Sequence, residues 1–198
     1  MKVRILEDSA QIDRIVDIHI NSFKGFFLTF LGERFLKQLY KGFLFHDNSG
    51  ILVAVENNNI VGFLAYSCDL SSFYKFLIRT NFIKFALYSL KAVVLKPKIV
   101  FKLFKALGAP STAKESDSYI NLSSIGVDST MFDKSVGSQL ISKLKELYRE
   151  GGYSYIKLDT DAENNEKANY FYEKNGFNLE KKYTTSEGRR MNEYRFYF

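Results

Sequence analysis

Cysteine is almost missing from this chain of 198 residues, in which Cys68 stands alone. One thiol excludes an intrachain disulfide, and neither a Cys-x-x-Cys pair nor a His/Cys cluster exists to bind zinc. A reducing compartment fits that usage. Proline occurs only twice, at Pro97 and Pro110, both inside one basic segment. Long apolar runs are missing too. The longest stretch without a charged residue, Asn57 to Cys68, is too short for a spanning helix, which takes about 20 apolar residues. Asp8 and Asp13 fall where a secretory signal would be apolar. The expectation is a cytoplasmic protein. What is present is ordinary for a folded domain: 46% hydrophobic and 25% charged residues exclude a disordered tail or a fibrous repeat. A chain of this length buries roughly 70% of its unfolded surface, enough for one core, so residues 1–198 are expected to form a single domain.

Val3 to Leu6 alternates like a short strand, and Glu7, Asp8 and Ser9 offer capping groups before a helix over Ala10 to Ser22. Phe35, Leu36, Leu39, Tyr40 and Phe43 mark a second helix, ended by Asp47-Asn48-Ser49-Gly50. Two apolar strands, Ile51 to Glu56 and Ile60 to Cys68, flank Asn57-Asn58-Asn59, which suits a tight hairpin because asparagine tolerates the left-handed backbone. Farther on, Tyr119 to Asp128 reads as strand, Val136 to Glu150 as helix, Tyr153 to Thr160 as strand and Glu166 to Asn175 as helix. Gly176 is placed to stop that helix, and Phe177 to Tyr183 and Met191 to Phe198 are strands.

Acidic residues are absent from Leu70 to Lys114, which carries nine basic ones, so the remainder of this +6 chain is net negative. Lys84, Lys91, Lys98 and Lys105 recur every seventh residue, with Phe85, Tyr88, Val94, Phe101 and Phe104 between them, the pattern of a basic amphipathic helix. Pro97 would divide it in two, and Gly108 with Pro110 would close the second half.

Two units carry chemistry. In Ile125-Gly126-Val127-Asp128-Ser129-Thr130-Met131-Phe132-Asp133-Lys134-Ser135-Val136-Gly137-Ser138 a strand passes through a loop into a helix. The first N–H groups of a helix lack internal partners and stand at the positive end of its dipole, so small residues such as Gly137 and Ser138 let a phosphate approach. Lys134 would add a point charge; the plain alternative is an ordinary helix start. The second unit, Asn165 to Phe177, sets Asn165, Ala168 and Tyr172 near one helix face. Alternatively, Phe171 and Tyr172 are core aromatics and Asn165 is a cap.

Together these units resemble the GCN5-related N-acetyltransferase (GNAT) family. The family's second pattern, Asn-x-x-Ala-x-x-Phe/Leu-Tyr-Glu-Lys-x-Gly-Phe, is matched throughout Asn165 to Phe177. Its loop pattern, Gln/Arg-x-x-Gly-x-Gly/Ala, falls on Phe132-Asp133-Lys134-Ser135-Val136-Gly137, keeping only the last glycine. Serine serves in place of the first glycine provided the position avoids positive φ. The resemblance implies an α/β fold with a mixed, mostly antiparallel sheet flanked by helices, into which Leu70 to Lys114 is a basic helical insertion. It further implies acetyl-CoA as acyl donor, held by the backbone of Ile125 and Val127, by Phe132, Asp133, Lys134, Ser135, Val136, Gly137 and Ser138, and by Asn165. Tyr172 would be the acid that protonates the departing thiol, and no metal is implied.

The general base is not legible. Asp69, Glu56, Asp159 and Asp161 lie near strand ends, where carboxylates are commonly solvated; His19, His46 and Cys68 read as structural. The basic insertion would shape the acceptor cleft and draw an anionic amine such as a nucleotide-linked amino sugar. A peripheral membrane contact through 70–114 and a homodimer through its aromatic face are the other readings. Nucleic acid is disfavoured, since the segment holds a single arginine. The rival class is a noncatalytic module that binds CoA, lipid or nucleic acid.

Overall fold

The computed structural model describes residues 1–88, 118–186 and 188–198. Seven strands form one sheet: β1 (Lys2–Ile5), β2 (Ser49–Glu56), β3 (Asn59–Ser67), β4 (Tyr119–Val127), β5 (Tyr155–Asp161), β6 (Asn178–Thr184) and β7 (Arg190–Tyr197). The α-helices among the described residues are α1 (Ile12–Ser22), α2 (Phe27–Phe30), α3 (Glu33–Phe45), α4 (Leu70–Tyr88), α5 (Val136–Tyr148) and α6 (Glu166–Lys174). Strand order is β1-β2-β3-β4-β5-β7-β6, and every neighbouring pair is antiparallel except β4 with β5. This is the mixed, mostly antiparallel architecture expected.

Alternation along the central strands divides the interior in two. Ile51, Val53, Phe63 and Ala65 meet Ile15 of α1, Leu36 and Tyr40 of α3 and Phe73 of α4. Their neighbours Leu52, Ala54, Leu64 and Tyr66 meet Leu140, Ile141 and Leu144 of α5 on the other face. Every residue of β3 after Asn59 is buried, the continuous run expected of a strand covered on both sides. Each buried Leu, Ile or Phe contributes roughly 1.5–3 kcal/mol, and a one-residue slip would exchange the two cores, so register is strongly specified.

Asn57 and Asn58 take φ of 49° and 63° in the β2–β3 turn, as their side chains favour. The Asp47–Gly50 cluster behaves differently from expectation. α3 stops at Phe45, and Ser49 and Gly50 already pair with Ser67 and Tyr66 in the sheet. α2 was not anticipated, being a single turn without periodicity.

The basic segment begins as core. On α4, Phe73 and Leu77 are buried, and the Phe73 ring stacks on Phe43 of α3 at 4.1 Å. Lys75 and Arg79 are exposed on the same helix. The expected break at Pro97 and the lysines Lys91, Lys98 and Lys105 lie outside the described residues. Among the described residues, no helix is long and apolar enough to cross a membrane.

Candidate active site

The parallel pairing is also the briefest in the sheet. β4 and β5 are in register at Tyr119–Tyr155, Ile120–Ile156 and Asn121–Lys157 and no farther, although β4 continues to Val127 and β5 to Asp161. A β-bulge stands where they part. Tyr66 pairs with Leu122 but Ala65 with Ser124, leaving Ser123 as an extra residue in β4. A bulge bends its strand and shifts the in/out alternation by one. Ile120 and Leu122 therefore face the α5 core, and so do Ile125 and Val127 after the shift.

Backbone direction follows from the same register. The Asp128 N–H donates to the Val61 carbonyl at 2.9 Å, which makes that pair, and by alternation Phe63–Gly126, hydrogen-bonded. Ile125 and Val127 occupy the intervening positions. Their N–H and C=O groups point away from β3, toward the side from which β5 has withdrawn. The Val127 carbonyl accepts the Ser22 hydroxyl from the end of α1 at 3.2 Å.

Beyond β4 the chain is held by Asp128. Its carboxylate accepts the Thr130 N–H (3.0 Å) and hydroxyl (2.8 Å) and is ion-paired with Arg14 of α1. These contacts, the Thr130 N–H foremost, hold its carboxyl below the usual range. A 3-10 turn over Ser129–Lys134, which includes Phe132, Asp133 and Lys134, ends at Ser135. Ser135 adopts φ 56°, ψ 21°, the left-handed conformation. The proviso under which serine replaces glycine freely is therefore not met, and the position carries strain of about 1 kcal/mol or more. α5 then begins at Val136; Gln139 N–H bonds back to Ser135 C=O at 3.0 Å, so Val136, Gly137 and Ser138 precede the first intrahelical bond.

Gly137 is buried where three elements converge. A methyl group there would lie 2.9 Å from Cζ of Phe171 in α6 and 3.8 Å from Cγ2 of Val127 in β4. The absence of a side chain thus lets α6 pack against the start of α5 and sets the two sequence units side by side. At the head of α6, the Asn165 amide donates to Thr160 Oγ1 (2.7 Å) and to the Asp161 carbonyl (3.3 Å), tying the helix to the end of β5. Asn169 adds a second tie to the Asp161 carbonyl at 3.1 Å. Tyr172 is 9% exposed and packs among Phe171, Phe177 and Tyr194. Burial pushes its hydroxyl up to about 12.

The model of the Acetyltransferase (GNAT) family matches residues 12–177. The chain belongs to the GNAT acetyltransferase family. Among solved structures it is similar to the ribosomal-protein-alanine N-acetyltransferase of Brucella melitensis, at 13% identity and TM-score 0.64 over 100% of both chains. It is similar to an N-acetyltransferase of Staphylococcus aureus Mu50, at 14% identity and TM-score 0.59 over 100% of this chain and 99% of that one. A Bacillus anthracis protein solved with acetyl coenzyme A is 20% identical, with TM-score 0.52 over 80% of this chain and 68% of that one. No curated protein matches the chain.

Within this GNAT fold the weighed carboxylates fare unequally. Asp69 accepts the Ser72 N–H at 2.8 Å and caps α4, and Asp161 is held by Arg189 at 2.7 and 2.8 Å. Glu56 ends β2, separated from the gap by β3. Asp159 lies past the last β4–β5 pair and accepts the Tyr183 hydroxyl at 2.9 Å. The histidines are buried and bonded: His19 Nδ1 to the Tyr40 hydroxyl (2.6 Å), His46 Nδ1 to Ser49 Oγ (2.9 Å). Cys68 is half-buried against the α5 core. Among the described residues, no three His, Cys, Asp or Glu side chains are grouped to hold a metal. Sequence reasoning passed over Asp128, Ser22, Tyr183 and the packing role of Phe171. Only Asp128 left a signal, since Asp-Ser-Thr after a strand is Asx-turn chemistry.

Proposed function

We propose that this chain moves the acetyl group of acetyl-CoA directly to the amine of a small acceptor. The observation that carries the reading is the withdrawal of β5 from Ile125 and Val127, whose backbone groups are left turned into the gap. Those groups offer the amide-bearing arm of CoA the partners that a neighbouring strand would have. The N–H groups of Val136, Gly137 and Ser138, at the positive end of α5, and the turn from Phe132 to Ser135 receive the pyrophosphate, with Lys134 adding charge. Asn165 closes the site from the head of α6.

Bound acetyl-CoA supplies an activated thioester whose sulfur is the leaving group. Tyr172 gives that sulfur its proton. A hydroxyl pushed up to about 12 stays protonated throughout the neutral range and releases its proton only as negative charge builds on sulfur. The acceptor carries an anionic portion, as a nucleotide-linked amino sugar does, drawn by the basic residues of Leu70 to Lys114, of which Lys75 and Arg79 are exposed on α4. The reaction takes place in the cytoplasm.

Thermal unfolding with and without excess acetyl-CoA tests the donor site. Ligand at 100 times its Kd adds about 2.7 kcal/mol, a shift of roughly 5–10 °C for a chain of this size. Tyr172→Phe is expected to keep that shift and lose about 100-fold or more in kcat. An unchanged midpoint at saturating acetyl-CoA would sink the reading, and binding without thiol release from any amine would leave the noncatalytic module.

A further inference from the structure

α3 turns each side to a different neighbour. Leu36, Tyr40 and Phe43 enter the core against the sheet. On one flank Lys37 reaches Asp13 of α1 at 3.1 Å; on the other, Gly42 packs against Leu77 of α4 and the Phe43 ring stacks on Phe73. Arg34, Lys41 and Phe45, spaced by seven and four residues, are left on the outward stripe, and all three are exposed. α4 runs antiparallel beside it, since Gly42 meets Leu77 while His46 Nε2 lies 3.2 Å from Ser72 Oγ, one turn nearer the start of α4. The outward residues of α4 are Lys75 and Arg79, four apart and exposed.

The two helices therefore share one outer surface that carries Arg34, Lys41, Lys75 and Arg79. Among the described residues none of these cations joins an ion pair. No acid occurs from Arg34 to Phe45 or anywhere in α4. Asp47 and Asp69 lie just outside the helices, and Asp69 is occupied in capping α4. Phe45 projects from this surface with 61% of its area exposed. Half-buried Phe76 of α4 is close by, its ring 5.4 Å from that of His46. An apolar ring among cations on long methylene stems is the chemistry of an interfacial contact, in which the ring enters the acyl boundary and the stems keep their charges at the headgroups. We propose that the outer surface of α3 and α4 docks on an anionic lipid bilayer, with Phe45 entering the interface and the four cations meeting headgroup phosphates.

Charge selects this occupant. Each lysine or arginine beside an anionic leaflet adds about fivefold in affinity, and a plane of phosphates can meet cations on two helices at once. A second copy of the chain would bring like charges face to face. The opposite side of the molecule is balanced: on α6, Lys167 and Lys174 are offset by Glu166 and Glu173. α3 and α4 share the sheet face of α1, whereas α5 and α6 cover the other, so a docked molecule keeps the head of α5 in solution. The inference goes beyond the acetyl-transfer reading and does not depend on it.

The test sediments the full chain with large vesicles of phosphatidylcholine, alone or with about 30% phosphatidylglycerol. The chain contains no tryptophan, so Phe45→Trp reports from that position alone. Its emission is expected to move to shorter wavelength on the anionic vesicles and to be quenched by lipids brominated in their acyl chains, with no change on phosphatidylcholine. Phe45→Gln should weaken vesicle binding by about 10-fold. Arg34→Gln with Lys41→Gln should weaken it by about 25-fold. Lys167→Gln with Lys174→Gln removes the same charge from the other side of the sheet and should cost less than about twofold. These side chains are exposed, and urea unfolding checks that each variant keeps the parent's midpoint. Equal losses from the two double variants would reduce the binding to net charge and overturn the proposal. So would a tryptophan that stays in water on vesicle-bound chain, or no binding to the anionic vesicles at about 0.1 M salt. Release by inorganic phosphate at an ionic strength where chloride releases nothing would give the cations to a soluble anion, and a larger emission change with RNA than with vesicles would give the surface to nucleic acid; either result overturns it.

Discussion

The ring of Phe171 fills the space that a side chain on Gly137 would need, with Cζ only 2.9 Å from where a methyl would sit. Alanine normally gains about 1 kcal/mol over glycine inside a helix, whereas overpacking costs about 1–3 kcal/mol. Gly137→Ala is therefore expected to destabilise by about 1 kcal/mol, measured by urea unfolding. Combined with Phe171→Leu, which removes the clash, the loss should shrink, giving a coupling of about 0.5 kcal/mol or more. Strict additivity of the two substitutions would show that the contact carries no energy.

Ser135 holds a left-handed backbone at φ 56° and is exposed, so glycine there relieves strain without opening a cavity. Ser135→Gly should raise stability by about 1 kcal/mol and the melting temperature by about 2–4 °C. Ser135→Val, with a branched Cβ, should lower both. A glycine variant that melts no higher than the parent would remove the strain argument.

His19 is 3% exposed and bonded to the Tyr40 hydroxyl, and burial lowers its pKa from 6.5 to about 4. In the unfolded chain the imidazole takes up its proton near 6.5, before the folded one does, so the unfolded state binds more protons between those values. Stability is then full above about 6.5 and falls as pH drops toward about 4, by about 3 kcal/mol in all. His19→Asn keeps an amide where Nδ1 stands and cannot titrate. Unfolding free energies across that window should lose this part of their slope in the variant; an identical slope would assign the effect to other groups.

Long amphipathic helices were legible because their packing is local. The spacing of Ile12, Ile15 and Val16 in α1, and of Leu140 and Leu144 in α5, is the face each helix buries. Ends were less legible, since Ser49 and Gly50 have turn chemistry yet join the sheet through partners in β3 that only tertiary structure supplies. In the site, the Asn165–Phe177 unit is a local pattern and could be read as one. The parting of β4 from β5 could not, because no residue type announces where a ladder ends. Nor could the contact of Tyr183 with Asp159, which joins residues 24 apart in the chain. Phe171 looked like any core aromatic, and its contact with Gly137 depends on how two helices are set across a sheet.

The extra residue at Ser123 makes chain length, rather than side-chain identity, the quantity that aims the strand. Upstream of it even-numbered residues look toward α5, and downstream the odd-numbered ones do. Replacing Ser123 by alanine leaves that phase intact. Removing it would leave the far half of β4 on the same partners, Ser124 on Ala65 and Ile125 on Leu64, in an unbroken ladder, and what would go is the bend at the place where β4 parts from β5.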